Sequence, residues 1–562
     1  MQRRHEALWD EKFRSVMIGR IIGITRNFLH RRVRFLGIMP AGAQVVAAQT
    51  TQAAALRDER RFRWAIAALV LATVAVRVPG IHRPLVGNFA TKSAVYAMIA
   101  RNWALDRAPY WCPTIDLTAG DERAWHLMEW PAAAFVAGQG WKLCGGSLDA
   151  WGRGVSIACS AGAVWLAMLL GRRSLGRTAA IAAGAVMAFS PVSIVYGQTF
   201  MLEASVAMLT LLVLYGLEVG LTERRPGWVA VAACAFGVLV VTKVYMLVLL
   251  LPLGLLLLRA PNGRLATATV MLFAVALLPA AWWYAKVFHI SSTSGPAFEH
   301  HPLERSTIHA FPHPLLFSAD YYQRLTTDFA THVLTPVGAI VLLSGIAAVW
   351  RRGRWPLLTL LTALGSLLIV LPLKFYVANY YYLVLLPGLA LATGAAWAEW
   401  NRFLPKTWMR MSFVGIGLLA AMRFAIGPAF VTPSGDEAVE VAAAAARAAI
   451  PADQPIATLH GSSVDLLYYC DRRGWALNAG DPNFAAKVAD AATRGARYLI
   501  VADLATAQQS PETKAVLSDL TIVQAGNDWQ LLSLGSKSTT MDARSTASRE
   551  RSEDVAASTS RE

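Results

Sequence analysis

Four short motifs put ionisable side chains where apolar segments begin or end. "HLMEWP" (126–131) places Glu129 just ahead of a proline-started helix, and "GQTFMLEAS" (197–205) places Glu203 at the start of an apolar run. "VTKVYM" (241–246) puts Lys243 at a similar boundary. "LKFYVANYYYLVLLPG" (373–388) packs Lys374, Tyr376, Asn379, Tyr380, Tyr381 and Tyr382 into one short stretch. A carboxylate in a membrane segment is expensive and by default marks a functional site, with acid–base work as the chemistry it offers. Blander readings compete. A glutamate at a helix N-terminus is favoured by the macrodipole, a boundary lysine snorkels, and interfacial tyrosines form an aromatic belt. The belt accounts less well for a lysine and an asparagine packed among four tyrosines. The sequence has no P-loop, dinucleotide fingerprint or zinc spacing. The histidines at 289, 300, 301, 309 and 313 share no helical spacing. No cofactor follows from the sequence, and a divalent metal stays open.

The elements that position these residues are membrane helices. The 562 residues are 55% hydrophobic and 16% charged, with a mean hydropathy of +0.42, whereas a soluble chain carries about 25% charged residues. Apolar runs long enough to span a bilayer fall at 64–80, 155–171, 178–197, 201–220, 227–242, 243–258, 266–288, 332–350, 355–372, 376–397 and 408–427. They predict a mainly α, polytopic protein of about eleven (10–13) transmembrane helices. The pair 227–258 is joined only by "TK". Alternate connectors are basic: Arg172, Arg173 and Arg177; Arg224 and Arg225; Arg259 and Arg264; Arg351, Arg352 and Arg354; Arg402, Lys406 and Arg410. The positive-inside rule then puts them and the basic segment 1–63 in the cytoplasm. The net charge of +16 is therefore topology signal with some anionic-lipid contact, not a sign of nucleic-acid binding. Within 1–63, residues 13–38 read as a basic surface helix, and Met39 is a second candidate start.

Four segments face outward in this scheme: 81–154, the turn around Gln198–Glu203, 289–331, and everything after about 428. A structureless loop of the first segment's length is improbable, so it should contain helices of its own. In "NFATKSAVYAMIARNW" (88–103), Val95, Met98, Ile99 and Trp103 share one helical face, with Lys92, Ser93 and Arg101 mostly off it. That pattern predicts a short amphipathic helix on the membrane surface. The membrane domain is assigned to 64–428. Residues 429–535 read as a small outer α/β domain: "EAVEVAAAAARAAI" is helical, "QPIATLHG" and "RYLIVAD" are buried strands, and "TIVQAGNDWQLLSLG" is a hairpin turning on Gly-Asn. The Ser/Thr/Arg/Glu-rich tail 536–562 is expected to be disordered. Cys112 and Cys144 share the first outer segment and can pair if the compartment is oxidising.

The order of motifs carries a resemblance. A span is followed by "YAMIARNW", "MEWP", "GSLDAWGRGVS", "SPVSIVYGQTFMLEAS", "TKVYMLVLLLP" and "YYYLVLLPGLAL". Over about 64–400 this resembles the GT-C superfamily of lipid-linked-sugar glycosyltransferases, especially the aminoarabinose transferase and protein O-mannosyltransferase group. The resemblance implies a sugar donor on polyprenyl phosphate, reaching the site through the bilayer. It also implies an acceptor lipid, glycan or protein arriving from outside, and two interfacial helices, 92–106 and 131–143, roofing the cavity. It implies that Glu129 and Glu203 are catalytic, and that Lys374, Tyr380 and Lys243 bind the donor phosphate.

One position departs from the family pattern. Related enzymes usually carry an acid four residues before the Tyr of "YA-x-I", and here that residue is Lys92, followed by Ser93. Lys92 and Arg101 then become candidate contacts to acceptor or donor, and Asp116 and Glu122 alternative bases. The expectation is an inner-membrane glycosyltransferase of the bacterial cell envelope, with its N-terminus cytoplasmic and its C-terminal domain periplasmic. Its partners would be the lipid-linked sugar, the acceptor and membrane lipids, with no nucleic acid. Two rivals are a flippase or transporter of lipid-linked saccharides, and an inactive scaffold of the same fold. A transporter would favour midplane polar residues and repeated halves, whereas the polar residues here cluster at the outer boundary.

Overall fold

The computed structural model describes residues 41–535 except 88, 120–121, 261, 294–311 and 405. The surface helix expected at 13–38, the tail and His300, His301 and His309 lie outside the described residues. Two compact units divide the chain, Met1–Ala65 and Ile66–Glu562. The described part of the first is helical, with an exposed i,i+4 pair between Arg63 and Glu59 at 3.4 Å. The second holds everything discussed below.

Each of the eleven apolar stretches is helical over most of its length. Among the described residues, six helices are long and apolar enough to cross a membrane: Ala55–Gly80, Leu148–Leu175, Glu203–Thr222, Gly263–Ile290, Asn379–Asn401 and Thr407–Phe430. Ala319–Val333 and Thr335–Arg351 make a pair bent by 106°. Arg177–Phe189, Pro226–Thr242, Val244–Leu258 and Trp355–Val370 are shorter. Eleven full crossings thus remain a reading of hydropathy. Helix Tyr382–Phe403 lies at the centre, and its neighbours approach closely because glycine leaves room. A Cβ on Gly345 would meet the Ala392 carbonyl oxygen at 2.2 Å, and one on Gly394 would meet that of Ala179 at 2.3 Å.

The first outer segment contains helices Ala90–Ala104 and Ala132–Cys144, near the two expected, and also a hairpin of β1 (Thr114–Ala119) and β2 (Glu122–Trp125). That hairpin joins β3 (Ile456–Leu459), β4 (Gly474–Leu477), β5 (Tyr498–Ala502), β6 (Thr521–Gly526) and β7 (Trp529–Ser533) in one sheet. The strand order is β2-β1-β4-β3-β5-β7-β6. The centre is parallel, and β1/β2, β5/β7 and β6/β7 are antiparallel. Hence the outer segment and the C-terminal domain, expected to be separate, share a sheet. Gly526 pairs with Trp529, so the β6–β7 turn is Asn527-Asp528 rather than Gly-Asn, with Asp528 left-handed at φ 62°.

Helix Ala90–Ala104 corrects the amphipathic expectation. Thirteen of its residues are buried, Ser93 and Arg101 among them. Tyr96, Met98, Ile99 and Trp103 belong to one core with Val439, Ala442, Leu466 and Leu467 of the C-terminal domain. The apolar stripe faces protein, including the C-terminal domain.

Candidate functional site

Local backbone geometry brings the motif residues together. Helix Pro226–Thr242 stops at Lys243, which is extended at φ −147°, ψ 99° before the 3-10 turn Val244–Leu249. The two-residue connector is therefore a break that exposes a lysine to the site. The backbone N–H of Trp130 donates to the Val241 carbonyl at 3.3 Å, and the Tyr284 hydroxyl donates to the same carbonyl at 3.2 Å. These bonds hold Glu129 beside Lys243. Glu203 opens helix Glu203–Thr222. Arg153, from "GSLDAWGRGVS", donates to the carbonyls of Gln198, Arg83 and Pro84 at 3.1, 3.1 and 2.8 Å. It thereby ties the turn before Glu203 to the start of the outer segment.

The result is a row of alternating charge, buried at Glu129, Lys243 and Glu203 and half-buried at Lys92. Lys92 Nζ lies 3.0 Å from Glu129 Oε1, and Lys243 Nζ lies 3.1 Å from the same oxygen and 3.5 Å from Glu203 Oε1. The Tyr96 hydroxyl also donates to Glu129 Oε1. Burial pushes the Glu129 carboxyl up, but Lys243 and Lys92 outweigh it and hold the group well below the usual carboxylate range. Glu203 is fully buried, and neither carboxylate oxygen has a hydrogen-bond partner among the described residues.

A tyrosine wall adjoins the row. Helix Trp355–Val370 ends before Pro372, a short helix Pro372–Val377 follows, and Asn379–Tyr381 makes a 3-10 turn into helix Tyr382–Phe403. This broken stretch sets Lys374 Nζ 3.4 Å from the Tyr381 hydroxyl. Lys243 Nζ lies 5.7 Å from the Tyr381 ring centre, a cation–π contact. Tyr380 packs on Tyr381, Phe89 and Tyr196 at centroid distances of 4.5, 4.9 and 6.0 Å. The Tyr245 ring lies 6.3 Å from that of Tyr381, and its buried hydroxyl has no partner among the described residues.

Six sequence-assigned residues thus converge: Glu129, Glu203, Lys243, Lys92, Lys374 and Tyr380. Arg101, Asp116 and Glu122 belong elsewhere. Arg101 bonds Asp116 at 2.6 Å and lies 3.3 Å from Asp471, while Arg123 bonds Asp116 at 2.9 Å. Despite burial, these guanidiniums hold the Asp116 carboxyl low. Asp116 therefore makes a poor base and holds Arg101, which joins the outer segment to Asp471 and the Tyr468 carbonyl of the C-terminal domain. Glu122 is exposed on edge strand β2. Tyr96 and Tyr245 were missed as site residues, and Tyr381 was named only as part of its tyrosine run. Tyr96 stands at i+4 from Lys92, a spacing that signals a shared face.

Cys112 and Cys144 are free thiols. Cys112 lies 3.2 Å from Lys286 Nζ, and Cys144 ends its helix exposed. Among the described residues no group of three or more His, Cys, Asp or Glu converges to hold a metal. The two carboxylates that do converge share an ammonium, so the donor set does not fit a divalent cation.

The profile of the dolichyl-phosphate-mannose-protein mannosyltransferase family matches residues 129–284, a stretch that begins at Glu129 and includes Glu203 and Lys243. No characterised protein matches the chain in sequence comparison. Among solved structures, the chain is similar to ArnT from Cupriavidus metallidurans bound to undecaprenyl phosphate. The TM-score is 0.56 at 14% identity, over 85% of this chain and 98% of that one. The archaeal oligosaccharyltransferase AglB from Archaeoglobus fulgidus, in complex with an inhibitory peptide and a dolichol-phosphate, gives 0.50 at 12% identity, over 79% and 69%. The arabinofuranosyltransferase AftD from Mycobacteria gives 0.54 at 17% identity, over 85% of this chain but only 40% of AftD.

Proposed function

On the GT-C glycosyltransferase fold that this chain carries, we propose an enzyme that moves a sugar from a polyprenyl-phosphate donor to a lipid, glycan or protein acceptor. The reaction would take place at the outer face of a bacterial inner membrane. The observation that carries the reading is the charged row Lys92–Glu129–Lys243–Glu203 beside Lys374, Tyr380 and Tyr381. A lipid-phosphate leaving group needs fixed cations and hydroxyls as its charge develops, and Lys243, Lys374 and Tyr380 offer them. The acceptor hydroxyl needs a base. Glu203 has both carboxylate oxygens unspent by hydrogen bonds and takes that role. The acceptor oxygen attacks the anomeric carbon, the bond to the phosphate oxygen breaks, and Glu203 receives the hydroxyl proton. Glu129, held ionised by two ammonium groups, positions Lys92 and Lys243 and faces the positive charge developing on the sugar.

The direct test is lipid and glycan analysis of a deletion strain beside its parent, joined to turnover by the purified protein with a polyprenyl-phosphate sugar. A missing sugar in the deletion strain and its transfer in vitro are expected. Lys92 in place of the family's acid favours one rival, the inactive scaffold. Unchanged glycans together with bound but unconsumed donor would establish that rival.

A further inference from the structure

Glu129 and Glu203 are buried carboxylates from two distant segments, and they converge on one point. An oxygen-ligating divalent cation would take such a point, sitting about 2.0–2.6 Å from each ligand. Here the point is held by Lys243 Nζ, 3.1 Å from Glu129 Oε1 and 3.5 Å from Glu203 Oε1. The lysine side chain is 3% exposed and issues from the extended residue that ends helix Pro226–Thr242, so the backbone itself aims it there. Lys92, 3.0 Å from Glu129, supplies a second positive charge, and two carboxylates meet two ammonium groups. A metal entering this site would have to displace the Lys243 ammonium and would add charge beside that of Lys92.

We propose that Lys243 is the site's built-in cation: it stands where a divalent metal would bridge Glu129 and Glu203, so sugar transfer by this chain needs no metal ion. The proposal rests on reading this cluster as the transfer site. An ammonium has three donors; two can address the carboxylates while the third faces the departing phosphate. No chelator can remove it.

The experiment uses Mn2+ as probe on the detergent-purified full-length protein. Electron paramagnetic resonance reads binding without any substrate, so its answer does not depend on whether transfer is observed. The parent is expected to bind no Mn2+ in a Glu203-dependent way and, where turnover is measured, to keep its rate in EDTA. Lys243→Ala frees both carboxylates. It should bind Mn2+, lose that binding when Glu203→Gln is added, and turn over at least about a hundredfold more slowly than the parent without metal. Mn2+ bound to the parent and lost in Glu203→Gln would overturn the proposal, as would inactivation of the parent by EDTA. So would a folded Lys243→Ala protein that binds no Mn2+. If Lys243→Ala does not fold, the two parental measurements still decide.

Discussion

At the scale of residues, the two glutamates of the row differ in what they have left to give. Glu129 accepts from Lys92, Lys243 and Tyr96 and is a weak base. Glu203 pairs with Lys243 at 3.5 Å and accepts no hydrogen bond among the described residues. Glu203→Gln keeps the size and removes the charge, so the protein should insert and fold normally yet turn over about 10²–10⁴-fold more slowly, the usual loss of a general base. Parental turnover in the purified variant would remove Glu203 from the mechanism. Lys374 reads a different event. Its ammonium, 3.4 Å from the Tyr381 hydroxyl, is placed to give a lipid phosphate a charge-assisted bond, roughly twice as strong as a neutral one. Lys374→Ala should weaken binding of a polyprenyl-phosphate analogue while leaving thermal unfolding near the parental value; equal affinity in a binding titration would reject the assignment. The carboxylates and lysines of the site were legible because charge at an apolar boundary is costly and so conspicuous. Tyr96 and Tyr245 were not, since a tyrosine near a membrane face already has an ordinary explanation. Asp116 was misread for a related reason: its two arginine partners, Arg101 and Arg123, are close in sequence but only the fold reveals that they are spent on it.

At the scale of elements, helix Ala90–Ala104 carries Lys92 and Tyr96 into the site, and the C-terminal domain holds that helix in place. Tyr468 and Tyr469 each donate to Asp149 at 2.6 Å, Tyr469 also accepts from the Leu85 backbone N–H at 2.5 Å, and Arg101 donates to the Tyr468 carbonyl at 2.8 Å. Removing one partner of a buried pair leaves the other uncompensated, at about 3–5 kcal/mol. Arg101→Met should cost about 3 kcal/mol, the lower end because Arg123 still meets Asp116; differential scanning calorimetry on the detergent-purified protein checks it, and an unchanged transition would contradict the joint. His460 makes a second joint, 2.9 Å from Asp436 in the 3-10 turn Ser434–Glu437 after the last span and 2.8 Å from Asp465 in the domain. Burial lowers its pKa, but the two carboxylates win and raise it from 6.5 to about 10. A raised histidine pKa contributes stability that is complete below the unfolded value and fades as pH climbs through the folded one. The melting temperature of the parent should therefore decline between about pH 7 and pH 10 more steeply than that of His460→Gln. Parallel pH profiles would show that the pair carries no such linkage. The amphipathic period of 88–103 correctly predicted a helix, but periodicity names a buried face without naming what buries it. β4 escaped for a plainer reason: "GWAL" is four residues with no alternation, and its place inside the sheet depends on β3 on one side and, on the other, on β1 from the first outer segment.

At the scale of the whole chain, charge in the loops and contact in the fold are independent of one another, and they agree on which residues lie together. The positive-inside count puts residues 81–154, 198–203 and the region after 428 on one side. The structure joins the first and last of these through the β1–β4 pairing and the Arg101–Asp116–Asp471 network, and the first two through Arg153. The basic connectors make their own pairs, Arg173 with Glu218 and Glu223, and Arg352 with Glu399. These contacts are the ones expected of segments that the arginine pattern puts on one side, where each connector is short enough for the charge bias to act. The number of full crossings was not legible, because a run of apolar residues fixes composition and leaves bends and breaks such as Lys243 and the 106° pair to tertiary packing. Absolute orientation follows from the same bias and makes one prediction. Gly480 is exposed in the C-terminal domain and Arg264 is exposed in a basic connector. In a background with the five native cysteines replaced, Gly480→Cys should react with a membrane-impermeant maleimide on intact spheroplasts, while Arg264→Cys should react only after permeabilisation. The reverse pattern would place the Glu129–Glu203 row on the cytoplasmic face and move acceptor and sugar transfer to that side. Labelling of both without permeabilisation would mean that the connectors do not alternate, and the hydropathy spans would have to be recounted beginning with the pair broken at Lys243.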